Sequence, residues 1–517
     1  MSARLLLALD LGTTAIKVGL FSVTGDLLRV ETRDQKLLFD GRGRVEQSPL
    51  ETWDLVGDAI RGVTAEAPVA EIAAVALSLQ RGTVIPLSAE GEPLSNFLVW
   101  MDKRGLPIAT ELAEQVGREH YYRIMGHPIT YVSGVSKVLW LHRNDPGTTR
   151  VGSIIAPPET LFLKWLGVEE LVCAQSTATY LFPTEIETKE WSGVLAEAFN
   201  LPLEKLPRQV TGTEVVGRLS ERAAVALGLV PGIALVAGGG DGQCAAAGSG
   251  VTRPGPCMIN IGTGAGVQVF LPHPVKDPHC VLNCAAHVDP QAWELEGHTQ
   301  ASGASFRWWR DEFGAVERAL QRDTGRDAFD VLVEEALLAP AGADGLLFLP
   351  LLNGSTAPQV DQEARGSLLG LGLAHRRNHV IRALLEGISL ELRWMLDAIE
   401  TAGSSVEEVR LTGGGSRNDS WNQIHADILN RPVCSLGTSD AALVGAAMCA
   451  AVAIGEYANL NEAAADFVKI MSTVEPRPQN TAVYAAAYDA YREAFARLSE
   501  SGIFRQLQQP IFQDRDR

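Results

Sequence analysis

Apolar and polar positions in the first half of the chain recur with either a strand-like or a helix-like period. Apolar runs over residues 5–11, 16–21 and 71–79 are short and bounded by polar or turn residues, which predicts buried strands. Between the second and third runs, apolar side chains recur at helical spacing, which predicts an amphipathic helix. Strands that alternate with helices are typical of an α/β fold. The helical positions are Trp53, Val56, Ile60 and Val63.

The second half continues this alternation. Residues 258–270 contain two apolar runs separated by a Gly-Thr turn, which predicts a second hairpin. Residues 379–400 carry apolar side chains at helical spacing and should form a long helix, and a strand is expected around residues 409–411. The longest uncharged run, residues 441–455, is too short to span a bilayer and rich in alanine, so we interpret it as a buried helix.

The tip of the first hairpin could hold phosphate groups. Gly12, Thr13 and Thr14 supply backbone N–H and hydroxyl donors, and the carboxylate of Asp10 stands just before them. Such a tip can bind phosphate oxygens, and the acid can hold the accompanying Mg²⁺ through water. Taken alone, the motif favours a plain hairpin that binds nothing.

The second hairpin repeats this pattern at Gly262 and Thr263. A repeat after about half the chain suggests two similar domains that face each other across a cleft, with the site in the cleft. Glycine and proline cluster at residues 252–256. We therefore predict an N-terminal domain at residues 1–251 and a C-terminal domain at residues 252–517.

A glycine-rich stretch in the middle of the chain ends in an acid. An apolar, strand-like run stops at the glycines of positions 238–240, Asp241 follows at once, and Gln243 comes two residues later. Glycines let the backbone approach a ligand, and open α/β sheets bind their ligands beyond the carboxyl ends of strands. Asp241 is therefore a candidate catalytic carboxylate, and a helix cap is the alternative interpretation.

Two polar segments could line a sugar pocket. Gln80 and Arg81 lie at the polar exit of a predicted strand, and Trp100, Asp102 and Arg104 form a second polar cluster. Charged and amide groups beside an aromatic wall can bind sugar hydroxyls. Solvated loops are the alternative interpretation.

Composition and charge narrow the class of function. The 517 residues are 46% hydrophobic, which is enough for two or more globular domains. The formal net charge of −18 argues against nucleic-acid or anionic-membrane partners. Seven scattered cysteines and the short N-terminal apolar run favour a cytoplasmic protein without a signal peptide. No lysine follows a glycine, which excludes a Walker A loop, and a Gly-x-Gly-x-x-Gly turn after the first strand is absent as well.

Several short motifs occur in the order and spacing of one known family, from about residue 5 to about residue 457. They include Asp10-Leu-Gly-Thr-Thr14, Lys137-Val-Leu-Trp140, Gly238-Gly-Gly-Asp241 and Thr412-Gly-Gly-Gly-Ser-Arg-Asn418. On these residues the chain resembles the FGGY carbohydrate kinases. The resemblance implies an α/β fold with two actin/hexokinase/Hsp70-like (ribonuclease H-like) domains that face each other across a cleft.

The resemblance further implies ATP-dependent phosphorylation of a sugar or polyol hydroxyl, with ATP and Mg²⁺ as the cofactors. Asp241 matches the family's catalytic base, and Asp10 and Asp241 match the acids near the metal. The positions that match the ATP site are Asp10, Gly12, Thr13, Thr14, Gly262, Thr263, Gly303, Gly414, Gly415 and Asn418. The positions that match the sugar pocket are Gln80, Arg81, Trp100, Asp102, Arg104, Asp241 and Gln243.

The acceptor is implied less directly. Residues 346–366 and the turn at Asp241 look most like xylulokinase and related ketose kinases, which implies a ketopentose such as D-xylulose. The segment Gln80-Arg81-Gly-Thr83 departs from xylulokinase and leans toward glycerol kinase, so a polyol kinase of the glycerol or erythritol type is the alternative. A non-catalytic sugar sensor and an actin-like ATPase are alternatives from another class. The expected partner is a small-molecule sugar, and homodimer formation stays open.

Overall fold

The structure is a computed structural model that describes residues 4–148 and 154–508. The described residues form 22 strands and 18 α-helices. The strands are β1 Leu5–Leu11, β2 Ala15–Ser22, β3 Leu27–Asp34, β4 Leu38–Phe39, β5 Val45–Gln47, β6 Ile72–Leu79, β7 Ile85–Leu87, β8 Phe97–Leu98, β9 Ile154–Ala156, β10 Val172–Ala174, β11 Arg208–Val210, β12 Val215–Arg218, β13 Ala234–Gly240, β14 Gly255–Ile261, β15 Ala265–Leu271, β16 Asn283–Ala286, β17 Trp293–Thr299, β18 Leu347–Leu349, β19 Ser367–Leu369, β20 Val406–Gly413, β21 Val433–Leu436 and β22 Ile470–Val474. The helices are α1 Pro49–Thr64, α2 Leu106–Val116, α3 Arg118–Met125, α4 Gly134–Asn144, α5 Pro158–Leu166, α6 Gln175–Leu181, α7 Gly193–Ala198, α8 Glu221–Leu227, α9 Asp241–Gly248, α10 Ser302–Phe313, α11 Ala315–Thr324, α12 Ala328–Ala336, α13 Arg377–Thr401, α14 Asp419–Leu429, α15 Ala441–Ala453, α16 Leu460–Phe467, α17 Pro478–Glu500 and α18 Ile503–Gln508.

The chain packs into two compact units that are interleaved along the sequence. The first unit contains the described residues of Met1–Pro254, Phe270–Leu295 and Asp440–Lys469. The second unit contains those of Gly255–Val269, Glu296–Ser439 and Ile470–Arg517. Each unit is assembled from three separate segments of the chain, so a single cut does not divide them. The domain boundary between residues 251 and 252, which is inferred from the repeated hairpin, stays a prediction.

The first unit is built on a six-stranded sheet in the order β12-β13-β6-β1-β2-β3. Strands β1, β6 and β13 run parallel to one another, whereas the β1–β2 and β2–β3 pairs are antiparallel. The carboxyl ends of the three parallel strands therefore lie at one edge of the sheet, which is where open α/β sheets bind ligands.

Helices cover both faces of this sheet because β1 is apolar on both of its sides. Leu5, Leu7 and Leu9 share one core cluster with the buried face of α1. Leu6 and Ala8 point into a second cluster that contains residues of α9, α15 and α16. The period-two alternation of a strand thus feeds two separate cores, and the result is a three-layer α/β/α arrangement.

The sheet of the second unit repeats this order. Six of its strands follow one another as β17-β15-β14-β20-β21-β22. Strand β14 forms an antiparallel hairpin with β15 and pairs parallel with β20, β20 pairs parallel with β21, and the edge strand β22 is antiparallel. A hairpin next to parallel strands with an antiparallel edge is the pattern of the first unit, so the predicted duplicated α/β fold is confirmed.

Most predicted elements are confirmed with small shifts at their ends. The strand predicted at 5–11 is β1, the helix through Val56 and Ile60 is α1, and the long helix predicted at 379–400 is α13. The uncharged run forms α15, which is buried on nearly all sides. No helix among the described residues has both the length and the apolar character needed to cross a membrane.

The glycine stretch before Asp241 belongs to the strand, and Asp241 stands directly after the strand's end as predicted. The strand does not stop at the first glycine, because β13 continues through Gly240 and pairs with β6 as far as Gly239↔Ser78 and Gly240↔Leu79. A shift of register after Val236 inserts an extra residue, and Gly238 takes up the resulting bend with a φ of +69°. The bulge lets the strand carry its glycines to the sheet edge and deliver Asp241 as the first residue of α9.

Candidate active site

Asp241 lies at the carboxyl end of β13, where α9 begins. Its side chain is 43% exposed, and its Oδ1 accepts a hydrogen bond from the backbone N–H of Gly242 at 2.8 Å. Arg81 approaches the same oxygen, with 3.4 Å between Nε and Oδ1. An exposed carboxylate at a strand end beside a guanidinium can accept a proton from a bound hydroxyl. The position is also the first turn of a helix, so the alternative role of Asp241 in helix N-terminal electrostatics is compatible with the same geometry.

A buried polar pair lies behind Asp241. Gln243, the third residue of α9, donates from Nε2 to Glu294 Oε1 at 2.5 Å, and both side chains are fully buried. Glu294 also faces Arg81, with 3.8 Å between Arg81 Nη1 and Glu294 Oε1. Arg81 thus lies between two carboxylates, those of Asp241 and Glu294.

Asp10 is the penultimate residue of β1 and lies close to Asp241. Its Oδ1 accepts a hydrogen bond from the hydroxyl of Ser78 on the neighbouring strand at 2.8 Å. Burial, together with the nearby carboxylate of Asp241, raises the pKa of Asp10 to about 7, while the Ser78 hydrogen bond acts in the opposite direction. The negative charge of a second carboxylate nearby favours a bound cation at this place.

The two acids therefore fit a divalent cation such as Mg²⁺, which prefers carboxylate oxygens and retains several waters. The described residues contain no group of three or more histidine, cysteine, aspartate or glutamate side chains that could hold a metal by themselves. A metal at Asp10 and Asp241 would need ligands from water or from phosphate groups.

Thr13 connects the hairpin tip to the predicted sugar-pocket residues. Its hydroxyl donates to Gln80 Oε1 at 2.9 Å and accepts from Trp100 Nε1 at 2.9 Å. Gln80 Nε2 donates to Gln47 Oε1 at 2.7 Å, and Gln47 Nε2 donates to the carbonyl of Thr13 at 2.5 Å, which closes the ring of contacts. The closed network fixes the amide of Gln80 and the plane of Trp100.

The neighbouring tip residues have lesser roles in this network. The carbonyl of Gly12 accepts from Gln35 Nε2 at 3.1 Å, and the carbonyl of Thr14 accepts from Gln35 N at 2.8 Å. The side chain of Thr14 is exposed. Gln35, which follows β3, thus binds the backbone of the tip at two points.

Asp102 and Arg104 form a buried unit of their own. Asp102 is fully buried and accepts four hydrogen bonds, from Val45 N, Arg104 N, Arg104 Nε and Arg104 Nη2, at 2.8 to 2.9 Å. Arg104 also donates to Glu46 Oε1 at 2.5 Å, and its guanidinium lies over the ring of Trp140. Burial lowers the pKa of Arg104, but its hydrogen bonds to Asp102 and Glu46 raise it above the ordinary value. With its acceptor sites filled, Asp102 acts on Arg104 rather than on solvent.

Lys137 holds the loop that carries Arg81. Its side chain is fully buried in α4, and Nζ donates to the carbonyls of Gly82, Tyr131 and Val132 at 2.9 to 3.0 Å. Burial lowers the pKa of Lys137 to about 7. Three carbonyl acceptors match the three hydrogens of an ammonium group, so Lys137 ties two loops to one helix.

In the second unit, Gly262, Thr263 and Gly303 come together. Gly262 and Thr263 form the tip between β14 and β15, and Ala304 N donates to Thr263 O at 2.8 Å. A Cβ on Gly303 would stand 2.0 Å from the carbonyl of Gly262, so the first turn of α10 contacts the tip through backbone alone. This contact places a helix N-terminus, which favours anions, beside the tip.

Gly414, Gly415 and Asn418 follow the end of β20 in the same unit. A Cβ on Gly415 would stand 2.7 Å from the side chain of Ile261, whereas nothing lies within 4 Å of one on Gly414. Asn418 caps α14 by accepting from Trp421 N at 3.1 Å, and its Nδ2 donates to Asp330 at 2.6 Å. The turn is therefore rigid and open at Gly414.

The pattern of the sequence did not identify several residues of these networks. Gln47 and Glu294 have no motif around them, and only their burial in the fold marks them. Ser176 was not singled out by any pattern either, yet its Oγ accepts a hydrogen bond from Gly240 N at 3.3 Å and so supports the end of β13.

Comparison with known proteins identifies the family. The N-terminal domain of the FGGY family of carbohydrate kinases matches residues 5–248, and its C-terminal domain matches residues 257–454. The chain is similar to the xylulose kinase of Bacillus subtilis, with 27% identity over 96% of this chain and 98% of that protein. It is also similar to the gluconokinase of Bacillus subtilis, with 28% identity over 87% and 88%, and to the glycerol kinase of Leifsonia xyli, with 28% identity over 89% and 91%.

Solved structures agree in fold over almost the whole chain. The ligand-bound xylulose kinase from Lactobacillus acidophilus has a TM-score of 0.88 at 25% identity and covers 96% of this chain and 98% of its own. The gluconate kinase from the same organism has a TM-score of 0.87 at 25% identity, covering 96% and 99%. Because both family domains match in order and together cover most of the residues, the chain belongs to the FGGY family of carbohydrate kinases and is an ATP-dependent phosphotransferase that acts on a small-molecule sugar.

Proposed function

We propose that the chain transfers the γ-phosphoryl group of ATP to a hydroxyl of an uncharged ketopentose such as D-xylulose, with Asp241 as the general base. The observation that carries this proposal is the place of Asp241: it is half-exposed at a parallel strand end, and a guanidinium lies 3.4 Å from one of its oxygens. A carboxylate in this place can accept the proton of an acceptor hydroxyl.

The charges around Asp241 support an uncharged acceptor. The positive charge of Arg81 is balanced by the carboxylates of Asp241 and Glu294. That of Arg104 is balanced by the carboxylates of Asp102 and Glu46. The carboxylate of a sugar acid would have to compete with these four carboxylates for an arginine side chain. It would also face their negative charges at short range, which disfavours its binding. Sugar hydroxyls need only hydrogen-bonding groups, which Arg81 can provide, and the ring of Trp100 can supply an apolar wall.

Phosphoryl transfer requires alignment and charge compensation more than covalent help from the protein. In our proposal Asp10 and Asp241 hold Mg²⁺, which when bound neutralises charge on the phosphate groups of ATP. Asp241 takes the proton from the attacking hydroxyl. Backbone groups at Gly12, Thr13, Gly262 and Thr263 bind phosphate oxygens, and the open turn at Gly414 accepts the adenosine end.

Similarity to xylulose kinases supports the ketopentose. The xylulose kinase of Bacillus subtilis matches 96% of this chain, against 87% for the gluconokinase of the same organism. A polyol such as glycerol or erythritol is the second candidate, because Gln80 and Arg81 stand in a segment of the glycerol kinase type and a glycerol kinase is matched at 28% identity. In both cases the acceptor is uncharged.

The test is ADP release from ATP and Mg²⁺ with a panel of acceptors. The panel contains D-xylulose, D-ribulose, L-ribulose, L-xylulose, L-fuculose, ribitol, erythritol, glycerol and D-gluconate. We expect the highest kcat/KM with a ketopentose, low turnover with D-gluconate, and little ATP hydrolysis without acceptor.

Preference for D-gluconate would overturn the charge argument, and preference for glycerol or erythritol would replace the ketopentose by the polyol. ADP release that ignores every acceptor would contradict the proposed function as a whole.

A further inference from the structure

Arg81 contacts an aromatic ring as well as two carboxylates. Its guanidinium lies 3.4 Å from Asp241 Oδ1 and 3.8 Å from Glu294 Oε1, so it stands between two ion-pair partners. Only 14% of the side chain is exposed, so protein contacts rather than water must restrict it.

The face of the guanidinium makes a further contact that restricts its orientation. Arg81 Cζ lies 4.4 Å from the centre of the Tyr180 ring. Tyr180 is near the end of α6 and is 8% exposed, so its ring is available to Arg81 but not to bulk water. A cation over an aromatic face is more strongly attracted when both are desolvated, and the contact fixes the plane of the guanidinium.

Aromatic neighbours in turn hold the ring of Tyr180 in place. The ring of His127 stacks on it at 5.2 Å with an interplanar angle of 9°. His127 is 3% exposed, and its Nε2 donates to the carbonyl of Thr179 at 2.9 Å. Tyr121, which is 1% exposed and part of a large core cluster, packs edge-on against His127 at 6.3 Å.

Guanidinium, phenol and imidazole thus form one stack that is anchored in the apolar core of the first unit. The three residues come from three separate segments: Arg81 follows β6, His127 follows α3, and Tyr180 lies in α6. Tyr121 is fixed in the close-packed core, and His127 and Tyr180 pack in sequence between it and Arg81. The packed rings therefore restrict the plane of the Arg81 guanidinium.

We propose that Tyr180 is a positioning residue for Arg81, and that its ring sets the plane in which Arg81 presents N–H donors to the acceptor sugar. This inference rests on the proposed function, since it assigns Arg81 to the acceptor site. Acceptor binding, rather than ATP binding, should depend on the aromatic face of residue 180.

The experiment compares Tyr180→Leu with Tyr180→Phe. Tyr180→Leu removes the aromatic face and should raise the KM for the acceptor about tenfold, within the range expected for a desolvated cation–π contact. The KM for ATP should stay near the wild-type value. Tyr180→Phe keeps the face and should restore the acceptor KM to within about threefold of wild type.

Phe182→Leu is the matched control, because Phe182 is a buried aromatic residue two positions away whose ring packs against Trp191. It should lower Tm without changing the acceptor KM. An unchanged acceptor KM in Tyr180→Leu, or an equal rise in Phe182→Leu, would overturn the inference. So would an equal loss in Tyr180→Phe, which would assign the effect to the hydroxyl.

A second measurement does not depend on turnover. In protein with labelled arginine side chains, ring current from Tyr180 should shift the NMR signals of Arg81, which are assigned by comparison with Arg81→Lys. The shift should be lost in Tyr180→Leu and kept in Tyr180→Phe. If the wild type phosphorylates no acceptor of the panel, the proposed function fails while this spectrum still tests the stack. An Arg81 signal that is the same in Tyr180→Leu and wild type contradicts the positioning role.

Discussion

At the scale of single residues, the carboxylates of the first unit divide into exposed and buried groups. Asp241 is half-exposed and Asp10 lies close to it, whereas Asp102 and Glu294 are fully buried and bonded to polar partners. An acid with filled acceptor sites orients its partner, and an acid with an exposed oxygen can exchange a proton with a ligand. The geometry therefore favours Asp241 for proton transfer and Asp102 for support of Arg104.

The first prediction concerns Asp241→Asn. Because the amide has nearly the same shape but is not basic, we expect kcat to fall by roughly 10²–10⁴, the range of general-base contributions. Tm should stay near the wild-type value, and ATP binding measured by calorimetry should be retained. Asp26→Asn, at an acid in the turn after β2, is the control and should leave kcat unchanged. Near-normal kcat in Asp241→Asn would remove this residue from the base role.

The second prediction concerns Glu391, which is buried in α13 and whose Oε2 has no hydrogen-bond partner among the described residues. Burial raises its pKa from 4.5 to about 8. Between these values the folded chain keeps a proton that the unfolded chain releases, so the stability contributed below pH 4.5 is lost as the pH rises toward 8.

Glu391→Gln should therefore raise Tm relative to wild type by about 2 °C or more at pH 8 and by less at pH 5. Thermal unfolding at pH 5, 6.5 and 8 measures the difference. Glu407→Gln, at an exposed acid of the same unit, should show no such trend. A Tm difference that does not grow with pH would contradict the raised pKa of Glu391.

At the scale of elements, the end of β13 determines where the candidate base stands. The strand passes Gly238 in the left-handed region, and a Cβ there would stand 1.8 Å from the carbonyl of Leu77 on β6. The bulge thus brings two strands closer than any side chain permits. Ser176 of α6 accepts a hydrogen bond from the backbone N–H of Gly240, the last residue of β13.

The third prediction compares Gly238→Ala with Gly232→Ala. Both glycines have positive φ, but a Cβ on Gly232 meets nothing within 4 Å. Gly232→Ala should cost about 1 kcal/mol of unfolding free energy from backbone strain alone, and kcat should be unchanged. Gly238→Ala adds a clash with backbone, so it should cost about 3 kcal/mol or more and lower kcat. Denaturant unfolding and steady-state kinetics give both values. Equal losses in the two variants would show that the close approach of β13 and β6 does not matter.

At the scale of the whole molecule, each unit is assembled from distant parts of the chain. In the first unit, α15 and α16 cover one face of a sheet whose strands come from the first 240 residues. That face includes Leu6, Ala8 and Val236, all of them buried. Without the later helices it would be an exposed apolar surface of the kind that aggregates.

The fourth prediction is that a fragment of residues 1–254 does not fold into a stable monomer. Addition of residues 440–469 through a flexible linker should increase the yield of monomer, because α15 and α16 then cover the apolar face. Size-exclusion chromatography and circular dichroism distinguish the outcomes. A well-folded monomer of the short fragment would show that the N-terminal half is an independent domain.

The local pattern of the sequence determined the type and place of elements such as β1, α1, α13 and α15, because periodicity depends on neighbours a few residues apart. It also indicated Asp241, Asp10 and the two hairpin tips, since glycines and acids at strand ends leave a local signal.

Tertiary structure decided what these residues contact. The bulge at Gly238 depends on Leu77 of another strand, the interleaving of the two units depends on helices late in the chain, and the partners Glu294 and Tyr180 have no motif of their own. Residues that are far apart in the chain meet only when separate elements pack, and packing depends on the shape of both partners, which no short stretch of sequence contains.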